Sequence, residues 1–192
     1  MNMPEDYGKI SAYGDFTPLA LGGHILKIMS VEETISSTQK AMLKINLDIA
    51  EGEQKDYYAA LFRGDTRENK KWGCIVYQLT HDSEGNTHRG LKTFITAVEN
   101  SNSGFKIVWG DSFCQTLKGK LVGGVFGREQ YENRDCELKF STKCSQFRSV
   151  ESIKKGVEVP EDKFLKGQKK QSVPSAASSD FDEISSESDL PF

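Results

Sequence analysis

Histidine is scarce in this chain of 192 residues: His24, His81 and His88 are the whole supply. Four cysteines, Cys74, Cys114, Cys136 and Cys144, stand 40, 22 and 8 residues apart. No pair has the close spacing of a zinc knuckle or ribbon, and the histidines do not complete one. The cysteines read as reduced thiols used as small core side chains. Long apolar runs are also missing. Stretches such as Ile25-Leu26 and Cys74-Ile75-Val76-Tyr77 fall far short of the ~20 residues that a spanning helix needs. The opening residues, Met1 to Tyr7, carry neither a basic region nor an apolar one, so no secretory signal is read there. A cytoplasmic protein without a membrane partner is expected.

Enzyme signatures are equally absent. There is no Gly-rich phosphate loop ending in Lys-Ser/Thr, no Gly-x-Ser-x-Gly elbow and no His-Glu-x-x-His pair. Asp48, Glu51 and Glu53 are the one acidic group that could hold Mg²⁺. They sit beside Gly52 at the end of an expected strand, where solvated turn carboxylates are the plainer reading. No catalytic residue, metal or cofactor is therefore assigned.

Charge is unevenly distributed. The formal net charge is −3, but residues 171–192 hold five acids (Asp180, Asp182, Glu183, Glu187, Asp189) and no Lys or Arg. Residues 1–170 carry the remaining 25 basic and 23 acidic groups, a net of +2. The acidic whole-chain balance thus hides a slightly basic body, and the two parts must be judged separately for a nucleic-acid partner.

Composition changes at Gly167, after which Ser, Ala and acids dominate and no apolar period survives. Residues 167–192 are expected to be a disordered tail, and 1–166 the folded domain. Within that domain Leu43, Ile45, Leu47 and Ile49 alternate as one face of a strand, and His24 to Glu33 reads as its partner. Tyr57 to Phe62 reads as a third strand ended by Gly64-Asp65. Thr66 to Leu79 is ambiguous, with a lean to helix at its start. Leu91, Phe94, Ile95 and Val98 have the i, i+3, i+4, i+7 spacing of a helix that Asn100 to Gly104 stops. A short helix over Ser112 to Leu117 follows. Last comes a hairpin: Lys120 to Tyr131, a turn at Glu132 to Asp135, then Cys136 to Arg148. Gly123, Gly124 and Gly127 mark a bulge or a close approach of another backbone or a ligand. Three strands, a helix and two strands make a mainly β chain in the order of an OB-fold, a five-stranded Greek-key barrel that binds oligonucleotides.

Aromatic and basic residues are interleaved along this frame. Lys70, Lys71, Trp72 and Tyr77 lie together, and Trp109 follows Lys106. The hairpin carries Lys120, Phe126, Arg128, Tyr131, Lys139, Lys143, Phe147 and Arg148. Rings that stack on bases and cations that track phosphates are what single strands require, with stacking worth ~1–3 kcal/mol per base. In the last strand Leu138, Phe140, Thr142 and Cys144 are expected on one face, and Lys139, Ser141, Lys143, Ser145 and Phe147 on the other. Trp72 and Trp109 suit a core position as well as a platform.

The chain closes on Asp189-Leu190-Pro191-Phe192 after an acidic, serine-rich run. A terminal ring, a free α-carboxylate and a proline-ordered backbone suit capture by an apolar pocket with a basic rim. This ending resembles the acidic tip of bacterial single-stranded DNA-binding proteins, which close on Asp-(Ile/Leu)-Pro-Phe. The body is similar to single-stranded DNA-binding proteins of phages and prophages of Gram-positive bacteria. The likeness is carried by Gly14-Asp15-Phe16-Thr17-Pro18-Leu19, Met42 to Ile49, Glu51-Gly52-Glu53 and Lys118-Gly119-Lys120-Leu121-Val122-Gly123. The resemblance implies a non-enzymatic protein that coats single-stranded DNA and recruits replication, recombination and repair enzymes through its tip. Two alternatives stand beside it: an adaptor with the same tail but no DNA binding, and a metal-dependent nuclease or recombination enzyme using Asp48, Glu51 and Glu53. Assembly into a homo-oligomer is left open.

Overall fold

A computed structural model describes residues 17–165, together with Met3 and Tyr7. The expected tail, 167–192, and its Asp189 to Phe192 tip lie outside the described residues, as do Gly14 to Phe16.

Two long strands, β1 (Gly22–Ile35) and β2 (Ala41–Ile49), form the first antiparallel pair. Leu43, Ile45 and Leu47 point inward from β2 as the alternation requires. In β1 the register slips between Ile28 and Ser30, so Met29 is an extra residue. That bulge turns Val31 to the same buried face as Leu26 and Ile28.

The segment after β2 corrects the sequence expectation. Tyr57 to Phe62 is not a strand but the start of helix α1 (Tyr57–Gly64). Its cause is non-local. The buried Asp48 side chain accepts the Ile49 and Tyr58 N–H groups through Oδ1, at 2.9 Å each, and the Ala59 N–H through Oδ2 at 3.1 Å. A carboxylate from β2 thus caps a helix whose own N-terminal residue, Asp56, makes no side-chain cap.

Residues 66–74 hold no helix, and β3 (Ile75–Leu79) pairs antiparallel with β2. The β-branched residues outweigh the helical spacing of Trp72, Ile75, Val76 and Leu79. Two expected helices are present: α2 (Arg89–Ser101), whose Leu91, Phe94, Ile95 and Val98 are buried, and α3 (Phe113–Leu117). The hairpin is also present as β4 (Leu121–Glu132) and β5 (Leu138–Arg148), followed by a short helix α4 (Val150–Lys154).

The chain is mainly β, and its five strands form one antiparallel sheet in the order β3-β2-β1-β4-β5. Helices α2 and α3 stand between the third and fourth strands. This arrangement is compatible with an OB-like fold. The sheet is open rather than closed, because no ladder among the described residues joins its edges, β3 and β5. Helix α2 spans the gap instead. Its Phe94 ring lies 4.8 Å from Phe147 of β5, and its N-terminal His88 Nδ1 lies 3.1 Å from Gln78 Nε2 of β3. Among the described residues, no helix is long and apolar enough to cross a membrane.

The expected close approach at the hairpin glycines is made by the chain itself. A Cβ on Gly123 would press on Ile153 of α4, and one on Gly127 would lie 3.2 Å from Pro160. On the neighbouring strand, a Cβ on Gly23 would lie 2.6 Å from Val157. These glycines form a side-chain-free floor on β1 and β4, over which α4 and residues 157–160 lie. Gly124 points to the other side, where a Cβ would meet Leu26 and lie 2.9 Å from Cys144 Sγ.

Candidate nucleic-acid interface

The open edge positions the site. A groove of about 450 Å³ runs beside β5, with Val76, Tyr77 and Gln78 of β3 and Gly90 and Thr93 of α2 on one side. The floor is Lys143 to Arg148 of β5 with Gly127 to Glu129 of β4, and Pro160, Glu161 and Lys163 close the far side. A barrel sealed by β3–β5 hydrogen bonds would have no such opening.

A second bulge decides which β5 side chains face outward. Phe126 pairs with Cys144 and Val125 with Gln146, so Ser145 is the extra residue. The expected alternation therefore fails past Lys143. Phe147 does not share the outer face with Lys143 but turns inward, 7% exposed, against Phe94. Arg148 takes the outward position instead, giving Lys139, Lys143 and Arg148 one common face. Tyr131, 41% exposed and directly across from Lys139, shares that face. From Lys139 to Arg148 it extends about 30 Å at ~3.3 Å per residue.

Tyr77 continues the surface on β3. It is 57% exposed and stands opposite Lys44 of β2. Tyr77 and Tyr131 thus offer rings at the two ends of a basic face. The cations between them are already engaged: Lys143 with Glu129 at 3.1 Å, Lys139 with Glu137 at 2.8 Å, and Arg148 with the Gln146 side chain at 3.0 Å. Such exposed pairs are worth ~0–1 kcal/mol, so a phosphate can replace the carboxylate at small cost.

The other sequence candidates are placed elsewhere. Phe126, with 0% exposure, is core and cannot stack on a base without unfolding β4. Trp72 is half-buried, its indole N–H donating to Leu47 O at 2.7 Å and its ring 5.5 Å from Phe62. It braces α1 against β2, with Lys70 over the Phe62 ring at 4.6 Å; exposed Lys71 adjoins it. Lys120 lies over Phe105 at 4.5 Å. Trp109 is 63% exposed, with one face stacked on Phe113 at 5.0 Å, and is not a groove residue. The groove thus brings together Tyr77, Arg128, Lys143, Phe147 and Arg148 from the sequence set, with Phe147 only as its inner support.

Sequence reasoning missed Gln78, Thr93, Pro160, Glu161 and Lys163. The single readable signal was Gly127, whose neighbour is Pro160.

The acidic group is dispersed. Asp48 spends both oxygens on backbone N–H donors, Glu51 reaches Lys154 at 3.6 Å, and Glu53 is exposed. Burial pushes the Asp48 carboxyl above its ordinary range, against the opposing pull of its three N–H donors. The thiols carry no chemistry in the groove: burial pushes Cys144 up to about 12 and raises Cys74 as well, which keeps both protonated. No family model and no curated protein matches the chain.

Proposed function

We propose that the protein is a sequence-tolerant single-stranded DNA-binding protein acting in phage replication and recombination in the bacterial cytoplasm. The strand laid along β5 would stack bases on Tyr77 and Tyr131 and exchange its phosphates for the carboxylates now held by Lys139 and Lys143. The observation that carries this reading is the open edge of an OB-like sheet, with a groove flanked by an exposed ring and lined by Lys143 and Arg148. The groove donors include no constellation that would read base edges, which supports tolerance of sequence. The Asp189 to Phe192 tip would recruit replication, recombination and repair enzymes, as the resemblance to bacterial single-stranded DNA-binding proteins implies.

The pairing of Arg128, Lys139 and Lys143 with carboxylates favours one second reading, an adaptor that carries the tip without binding DNA. Gel shifts on single- and double-stranded oligonucleotides, with and without Mg²⁺, separate the readings. Retardation of single strands alone, independent of Mg²⁺ and without cleavage, supports the proposal. No retardation favours the adaptor, and Mg²⁺-dependent cleavage overturns the non-enzymatic reading.

A further inference from the structure

After α4 the chain runs back across β1 and β4 and is held in two different ways. Up to Pro160 it is held by packing: Val157 over Gly23, Val159 over Gly22 and Pro160 over Gly127. Beyond that point it is clipped mainly by polar contacts. The Lys163 N–H donates to Arg128 O at 2.9 Å, and the Gln130 N–H donates to Lys163 O at 2.8 Å. The Leu165 N–H donates to Gln130 Oε1 at 3.3 Å, and the Phe164 ring meets Phe140 edge-on at 5.7 Å. Asp162 takes two arms of the Arg128 guanidinium, Nε at 2.9 Å and Nη2 at 2.6 Å.

Arg128 lines the groove, and so do Glu161 and Lys163 on either side of Asp162. A guanidinium fork binds a carboxylate and a phosphate with the same two parallel hydrogen bonds. The fork is half-exposed, so its ion pair is open to exchange. Resting on the single-strand reading above, we propose that Asp162 holds the place on Arg128 that a DNA backbone phosphate takes in the complex. Residues 161–165 are then a clip that single-stranded DNA displaces, and Arg128 is a phosphate contact masked in the free protein. Displacement frees five residues between the packed segment and the tail, lengthening the tether by at most about 17 Å at ~3.3–3.6 Å per residue.

The test uses the full chain, labelled oligo-dT and two variants. Asp162→Asn keeps the size of the side chain and removes the charge that competes with phosphate. It should bind oligo-dT roughly two- to fivefold more tightly at low salt, with a salt slope steeper by ~0.7, one more phosphate contact. Adding Arg128→Ala to Asp162→Asn should cancel both gains. In the wild type, oligo-dT should speed hydrogen exchange at the Lys163 and Gln130 amides. An Asp162→Asn protein with wild-type affinity and slope overturns the proposal, as does slower exchange at those amides on binding. A wild type that binds no oligo-dT at any salt overturns the single-strand reading itself, before either variant is compared.

Discussion

Gly123→Ala probes the glycine floor that seats α4 and the segment behind the groove. The added Cβ would press on Ile153 Cγ1 and stand 2.8 Å from Arg148 O and 2.9 Å from Ser149 O. Ile153 can rotate away, but the two carbonyls belong to the corner between β5 and α4 and move only with the backbone. Overpacking of this kind costs about 1–3 kcal/mol, and two backbone neighbours put Gly123 at the upper end. Alanine recovers about 0.5–1 kcal/mol of chain entropy relative to glycine, leaving a net loss of about 2 kcal/mol. For a chain of this size that is a fall of about 4–8 °C in Tm. Gly64→Ala is the control: Gly64 ends α1, and a Cβ added there would meet nothing within 4 Å. This variant should match or exceed wild-type stability. Thermal and urea unfolding followed by circular dichroism read both variants. A Gly123→Ala protein as stable as Gly64→Ala would refute the close approach at the floor.

Replacing Asp48 by Ala leaves the Tyr58 and Ala59 N–H groups without their carboxylate and should cost about 1.5–3 kcal/mol in urea unfolding. Because the folded pKa of Asp48 lies above the ordinary 3.8, its proton-linked stabilisation is fully present below that value and is lost as pH rises through the folded pKa. The stability gap between wild type and Asp48→Asn should therefore narrow as pH rises from below 4, as measured by unfolding across that range. Thiol titration of the native protein at pH 8 should show rapid reaction at exposed Cys136 and protection of Cys74 and Cys144 until denaturant is added. Changing Lys139, Lys143 and Arg148 together to Ala should weaken oligo-dT binding alike for all sequences. Fluorescence anisotropy should show the salt slope falling by about 2, at ~0.7 per phosphate contact.

The elements with a clean local period were legible in the sequence: the alternation of Leu43 to Ile49, the helical spacing of Leu91 to Val98, and the hairpin flanking residues 132–137. What failed to read locally depends on distant partners. Tyr57 to Phe62 becomes a helix because Asp48, ten residues before Tyr58, caps it. The inward turn of Phe147 follows from a bulge at Ser145, which the run from Ser141 to Arg148 does not announce. Of the site, the basic outer face of β5 and Tyr77 were legible, because period two places them. Phe126 was misread as a platform because an aromatic in a glycine-rich strand looks the same whether its face is core or groove. The wall made by Pro160 to Lys163 was invisible, since it has no period and is held by a glycine floor and one ion pair.

Photo-crosslinking of oligo-dT to the full-length protein, with the adducts mapped by mass spectrometry, asks directly whether the strand lies along β5. A strand held there gives adducts at Tyr77 and Tyr131 that disappear as salt is raised. Adducts confined to Trp109 or Trp72, or salt-independent adducts scattered over the surface, would contradict that placement.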